Sequence, residues 1–340
     1  VEAPTFSVSE LTTAVRRLVQ TGFPSQVWVE GDIGSISRTA TGNVFFELVE
    51  HAGSGASVVG RLHVVLWDDV RREVNEVLRR GGAVRMSEGV RIRIRGWLDV
   101  FPGSGRVQLR MTGIDPDHTV GRMAAARAAL VRVLEAEGLV GRNASVPLAP
   151  LPLEVGLVTR IGSAAHADVV HELAAAALGF RVRVVDVPVQ GAGAERAVVA
   201  ALGRLAAERV DVVIVARGGG ARTDLLAFDA EVVARAIAAS PVPVLTGIGH
   251  EIDTTVADVV AHGAHKTPTA CAAAVVERAR LAVRHLDHLA TAVARVAPAV
   301  LDRRAALAAD RARHTSRLAV AHLDRAAATT GARADRTARG

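Results

Sequence analysis

Four short apolar runs, separated by stretches with helical spacing, constrain the fold of this chain more than any other feature. The runs are EVGLVT at 154–159, RVRVVDV at 181–187, VDVVIVA at 210–216 and PVPVLTG at 241–247, with helical patterns at 164–178, 194–208 and 229–239 between them. Strands that alternate with helices pair in parallel, because each helical crossover returns the chain to the same end of the sheet. Residues 151–277 are therefore expected to form a parallel α/β sheet domain. Ligands of such sheets bind at the carboxyl ends of the strands.

Three of those ends carry unusual chemistry. TRIGSAAHADVV follows the first strand, and Gly162-Ser163 opens an alanine-rich helix that presents His166 and Asp168 within its first two turns. ARGGGARTD places Arg217 at the end of the third strand, ahead of Gly218, Gly219 and Gly220. TGIGHEIDTTVAD sets His250, Glu251 and Asp253 after the fourth. Each turn alone has a plain conformational reading, since glycine tolerates backbone that other residues avoid. Their meeting at one end of one sheet is what points to a site.

Phosphodiester hydrolysis needs charge neutralisation on the phosphoryl oxygens, an oriented water and a proton for the leaving oxygen. Arg217 and the amides of Gly218–Gly220 suit the first need, His250 can shuttle a proton near neutral pH, and Asp253 can orient its ring. Asp168 is the candidate to position or deprotonate water, or to ligate a metal. This set requires no cofactor, and magnesium is possible. Other chemistries fail on spacing: no G-x-G-x-x-G or P-loop is present, Thr254 stands where H-E-x-x-H needs histidine, and G-x-S-x-G is missing.

The first third reads differently. A helix over 7–20 with a Ser7-to-Glu10 cap precedes strand-like runs at 26–33, 43–49, 57–67, 89–98 and 106–114, with a helical stretch, DDVRREVNEVLRR, between the third and fourth. Five strands with that helix make an OB-fold β-barrel over 1–118. In the fourth run Val90, Ile92 and Ile94 alternate with Arg91, Arg93 and Arg95, giving an apolar face and a row of guanidinium groups about 7 Å apart. Trp28, Phe45, Phe46, Trp67, Trp97 and Phe101 are candidate stacking platforms for bases, with about half of them expected in the core and the adjacent Phe45 and Phe46 on opposite sides.

The formal charge is +6, and Lys266 is the only lysine among 41 basic residues. Arginine grips phosphate in a bidentate way, so this bias suits a nucleic-acid partner, as it also suits GC-rich coding. A single cysteine, Cys271, excludes an internal disulfide framework and a cysteine-based zinc site, which fits a reducing cytoplasmic setting. No leader-like start and no membrane-length apolar run are seen, so a soluble, non-exported protein is expected; the first residue, Val1, leaves open a non-standard start or a fragment.

A helical connector and proline-rich linker are expected over 119–150, and a helical arm over 278–340. In the arm Leu286, Leu289, Val293, Val296 and Val300 follow the 3-4-3-4 spacing of a short coiled-coil seam, which Pro298 is expected to kink or end. Beyond Leu307 the repeat decays.

Over about 1–280 the chain resembles the large subunit of exodeoxyribonuclease VII. The resemblance rests on FSVSELTTAVRRLV, FPSQVWVEGDI, GLVTRIGSAAHADVVHEL, TPTA and the long stretch from ARGGGARTDLLAFDAEVV to TGIGHEIDTTVADVVA. It implies an exonuclease that degrades single-stranded DNA from either end to 5′-phosphorylated oligonucleotides. It also implies a complex with several copies of a small helical subunit, carried by the helical arm, which is short here. The family's catalytic residues match Asp168, Arg217, His250 and Asp253. Departures surround them: Ala221 stands where serine is usual, Asp229-Ala230-Glu231 replaces Asn-Asp-Glu, HGAHKTP replaces Asp-x-Arg-Ala-Pro-Thr-Pro, and Ala273 stands where an acid is expected. The competing reading is a non-catalytic relative that binds single-stranded DNA or serves as a scaffold.

Overall fold

The computed structural model describes residues 3–52, 57–80, 84–191, 193–248 and 254–337. The chain separates into two compact units, Val1–Ala279 and Arg280–Gly340.

The first unit opens with helix α1 (Val8–Gly22), closed at its start by a capping box in which Ser7 Oγ accepts from the Glu10 amide and Glu10 Oε2 accepts from the Ser7 amide. Strands β1 (Val27–Arg38), β2 (Val44–Ala52) and β3 (Ser57–Leu66), helix α2 (Asp68–Arg80), and strands β4 (Arg91–Phe101) and β5 (Arg106–Ile114) follow. The strands close into a barrel in the order β1-β2-β3-β5-β4, with β3 and β5 parallel and the other pairs antiparallel. This is the OB-fold that the five runs and their intervening helix imply. Closure removes exposed strand edges and leaves period-2 alternation to sort side chains between core and surface. Ile92 and Ile94 are fully buried in the barrel core while Arg91, Arg93 and Arg95 lie outside it. Phe46 is buried and Phe45 exposed, as their adjacency requires. The expectation that about half the aromatic candidates belong to the core does not hold: Phe46 is buried, whereas Trp28, Phe45, Trp67, Trp97 and Phe101 are exposed. All five lie on outward-facing or terminal positions that the barrel cannot enclose.

Helix α3 (Pro116–Ala136), N-capped by Asp115, leads to a short 3-10 turn at Asn143–Ser145 and then to the parallel sheet. Its elements are β6 (Glu154–Thr159), α4 (Ala164–Ala175), β7 (Arg181–Asp186), α5 (Ala194–Ala207) and β8 (Val212–Ala216). A 3-10 stretch at Arg222–Asp229 comes next, then α6 (Glu231–Ala239), β9 (Val244–Gly247), α7 (Val256–Val260), a two-residue strand β10 (Gly263–Ala264) and α8 (Pro268–Thr337). The sheet order is β10-β9-β8-β6-β7, all parallel. Successive residues serve opposite faces: Val212, Ile214 and Ala216 pack with α4 and the start of α8, whereas Val213 and Val215 pack with α5, α6 and α7.

Two segments tie the barrel to the sheet. Helix α3 contributes Val120 to the barrel core and Leu134 to the core of the sheet. The 3-10 stretch does the same within four residues, since Leu225 and Phe228 enter the sheet core while Leu226 packs against the barrel core. The Arg85 amide, on the approach to β4, donates to Thr223 Oγ1 at 3.0 Å. The connector is fixed by Asn143, which is fully buried. Its side chain donates to the Ser240 and Val242 carbonyls and accepts from the Val244 amide at 2.8 Å.

The second unit is the remainder of α8. Pro298 lies inside this helix and does not end it, and the helix runs past Leu307 to Thr337. Proline removes one amide donor and crowds the preceding turn at a cost of about 3 kcal/mol, which the surrounding alanine, leucine and arginine offset as strong helix formers. Leu286, Leu289, Val293, Val296 and Val300 are exposed along it. No helix among the described residues is long and apolar enough to cross a membrane.

Replacing Asn143 takes the side-chain partner from the buried Ser240 carbonyl and Val244 amide, while the Val242 carbonyl keeps the Ser240 hydroxyl. Asn143→Ala is expected to lower stability by about 3 kcal/mol, read as a reduced urea midpoint with an unchanged slope.

Candidate active site

The sheet register brings two of the three expected loops together and places the strand that leads to the third beside them. Val158 of β6 lies opposite Val215 of β8, and Ala216 of β8 lies opposite Gly247 of β9. The ladder continues one step further, because the Arg217 amide donates to the Gly247 carbonyl at 3.1 Å. His250 and Asp253, with the rest of 249–253, lie outside the described residues.

The loop after β6 is set by Gly162, whose φ of +81° is left-handed backbone suited to glycine, and by Asp186, which accepts from the Ile161 amide at 2.9 Å. Ser163 then caps α4, its Oγ accepting from the His166 amide at 3.2 Å. The first amides of α4 have no helical partner and carry the positive end of the helix dipole. Gly218 comes up against this end: a Cβ built on it would lie 3.7 Å from the Ala165 nitrogen. Glycine loop and helix N-terminus are therefore neighbours at the carboxyl end of the sheet, and a helix N-terminus is a place that favours anions. Asp168 is exposed on the second turn of the same helix.

Arg217 is placed otherwise than a free cation at a strand end. It is 4% exposed and folds back beneath its own loop. Its Nη2 donates to Asp224 Oδ2 at 3.2 Å and to the Ala221 carbonyl at 3.4 Å, and the same carboxylate oxygen accepts from the Ala221 amide at 3.1 Å. Gly220 makes room for this fold, since a Cβ there would strike the guanidinium and approach Asp224 Oδ2 to 2.8 Å. Burial pulls the Arg217 pKa below its ordinary value, and the Asp224 charge opposes the shift. The guanidinium thus sits behind Gly219 and Gly220, which are exposed. Asp224 and Thr223 were not singled out by the sequence; the only signal was an acid three residues after the loop, in capping position.

At the β9 end, the start of α8 presses on the sheet. A Cβ on Gly247 would meet the Pro268 Cα and the Thr267 carbonyl at 3.0 Å. Thr267 Oγ1 accepts from the Ala270 amide at 3.0 Å, capping α8, and the His265 amide donates to the Thr246 carbonyl at 2.8 Å. Burial holds the His265 pKa below the usual imidazole value. Among the described residues, no three His, Cys, Asp or Glu side chains converge as metal ligands would.

On the barrel the arginine row is only partly open. Arg91 forms a bidentate pair with Asp32 at 2.8 and 3.0 Å, and that hydrogen bonding raises its pKa. Arg93 lies 3.5 Å from Asp115 and also covers the Trp28 ring at 4.9 Å, while Arg95 lies 5.6 Å from the same ring. Trp28 sits opposite Arg95 in the ladder and is about half exposed, so one ring and two cations form a joint surface.

A family model described as exonuclease VII, large subunit, matches residues 139–339, and one described as an OB-fold nucleic acid binding domain matches residues 6–115. Exodeoxyribonuclease 7 large subunits are similar along most of the chain: 37% identity over 299 residues in Desulforudis audaxviator, 35% over 268 in Thioalkalivibrio sulfidiphilus and 34% over 307 in Moorella thermoacetica. These alignments cover 87%, 78% and 86% of this chain and 69%, 56% and 72% of those relatives.

The chain belongs to the exonuclease VII large-subunit family.

Two departures from the family pattern have a visible setting. Ala221, where the large subunits usually carry serine, contributes only its backbone to the Arg217–Asp224 arrangement. Asp229 pairs with Arg127 of α3 at 3.0 Å and accepts from the Val256 amide at 2.9 Å; burial raises its pKa against the pull of Arg127.

Removing Asp224 leaves a buried guanidinium without its counter-charge. Asp224→Ala is expected to cost about 3–5 kcal/mol in denaturant unfolding, and Asp224→Asn, which keeps an acceptor in place, distinctly less.

Proposed function

We propose that this chain hydrolyses single-stranded DNA from either end, releasing 5′-phosphorylated oligonucleotides. We also propose that it does so in the cytoplasm, as the large subunit of a complex whose small helical subunits, several per assembly, are carried by α8. The observation that carries the reading is the approach of Gly218 to the N-terminus of α4 at the carboxyl end of the sheet, beside the end of β9. Membership of the exonuclease VII family supports it, as does the exposed Trp28–Arg93–Arg95 surface.

In this reading the amides of Gly218–Gly220 and of the first turn of α4 receive the phosphoryl oxygens. Arg217, behind them, supplies positive charge in a water-poor setting, where it acts more strongly than in solvent. A water positioned by Asp168, which takes up its proton, adds to phosphorus. The P–O3′ bond breaks, and the leaving O3′ takes a proton from His250, whose ring Asp253 orients. The phosphate stays on the 5′ side of the product and a 3′-hydroxyl is left on the other fragment. The domains that carry these roles are the barrel over 1–118, a connector over 119–150, the α/β part over 151–277 and the arm over 278–340.

The test is incubation of end-labelled single-stranded DNA with the chain and its co-purifying partner, with and without chelator. Shortening to 5′-phosphorylated fragments is expected, with Asp168→Asn, Arg217→Ala, His250→Ala and Asp253→Ala each losing 100-fold or more, on the order of removing one catalytic group. A salt-sensitive mobility shift without shortening would overturn hydrolysis in favour of binding alone. In the same system Trp28→Ala is expected to weaken DNA binding roughly 5- to 100-fold, the range of one stacked base, read by fluorescence anisotropy.

A further inference from the structure

A second basic surface lies inside the first unit, away from the arginine row. A cavity of about 630 Å³ reaches from β1, β2 and α2 of the barrel to Ala221, the residue that follows the glycine triplet. Arg38, Arg71, Arg79 and Arg85 line it, and among the described residues that line it none is acidic. Its volume falls in the ~300–1,000 Å³ range of ligand sites. Arg71 is engaged with Asp68, and Arg79 Nε donates to the Asn75 carbonyl. Among the described residues, Arg38, Arg79 and Arg85 form no carboxylate pair, so three cations line one cavity with no direct counter-charge inside it. Folding gains nothing from such an arrangement, since like charges repel and long side chains lose freedom when held together.

The contrast across one hydrogen bond is informative. The Arg85 amide donates to Thr223 Oγ1, fixing the barrel to the stretch that follows the glycines. On the other side of that contact a cavity of about 400 Å³ is lined by Glu88, Glu195 and Asp224 together with Arg85. A polyanion is repelled from the acidic side and drawn to the basic one, and the basic side is the one that opens at Ala221.

We propose that the arginine-lined cavity is a backbone-phosphate subsite, in which Arg38, Arg79 and Arg85 hold consecutive phosphates of a single strand between the barrel and the glycine loop. This rests on the nuclease reading above and names where the strand passes on its way to the reacting bond. The apolar floor formed by Leu66 and Leu78 leaves room for sugar or base without adding sequence selectivity. The Arg85 backbone is fixed to Thr223, two residues after Ala221, so its Cα is held near the glycine loop while its exposed side chain can follow a phosphate.

The test compares wild type with Arg38→Gln/Arg79→Gln/Arg85→Gln, each purified as the full chain with its co-purifying partner, on a phosphorothioate oligothymidylate that resists hydrolysis. Each phosphate contact to a single strand contributes about 0.7 to the slope of log affinity against log salt. The triple variant is expected to bind on the order of 100-fold more weakly at about 0.1 M salt and to lose about 2 from that slope. On hydrolysable DNA its KM should rise while kcat is retained. The triple lysine variant, which keeps the charges, should stay within a few-fold of wild type. If the glutamine variant does not fold, Arg79→Gln alone, on the exposed face of α2, should still lose about 0.7 from the slope. Wild-type binding with an unchanged slope in these variants overturns the subsite and leaves the nuclease reading standing. A wild type that neither binds nor degrades single-stranded DNA overturns both.

Discussion

The Arg217 guanidinium has to satisfy its charge inside the protein, and much of the architecture around it follows from that need. Its counter-charge, Asp224, comes from the same loop seven residues on, so the loop must close tightly enough to return the chain within 3.2 Å. Closure at that radius requires Gly220, where any side chain would occupy the space of the guanidinium. It also fixes the start of the 3-10 stretch, because Asp224 takes the Ala221 amide as well. A buried ion pair of this kind adds little net stability but makes other loop conformations costly, since each would leave one charge unpaired. The glycine loop is thus held in one arrangement before any ligand arrives.

From this loop the constraint spreads in both directions. The 3-10 stretch it begins splits its side chains between two cores, with Leu226 toward the barrel and Leu225 and Phe228 toward the sheet. The Thr223–Arg85 hydrogen bond pins the approach to β4 at the same place. Barrel and sheet are consequently registered at the loop, and the arginine-lined cavity and its acidic counterpart are two sides of one seam.

Most of the fold was legible because period-2 alternation survives wherever a strand has two unlike faces. Ile92 and Ile94 against Arg93 and Arg95, and Val212, Ile214 and Ala216 against Val213 and Val215, can be read directly from residue types. β10 was missed because two residues carry no period, and its position depends on pairing with Leu245 and Thr246. Pro298 does not end α8, because the other residues of the helix favour continuation. At the candidate site, the adjacency of the strand ends was legible from the alternation of strands and helices. The partner of Arg217 was not, since nothing in ARTD distinguishes a carboxylate that caps a turn from one that also neutralises a buried cation. The exposure of five aromatic rings was equally hidden, because composition cannot tell which side of a closed barrel a ring occupies.

The packing of Leu226 against the barrel's core bears on how such a protein can change over time. A barrel taken from another source would arrive with its own surface where Leu226 packs, and a sheet taken alone would carry an apolar side chain with nowhere to go. Exchange of either part as a free-standing module is therefore opposed by Leu226, together with Val120 of α3 and the Arg85–Thr223 hydrogen bond. The two halves are bound to drift together, with substitutions on one side of the seam selected by what stands on the other.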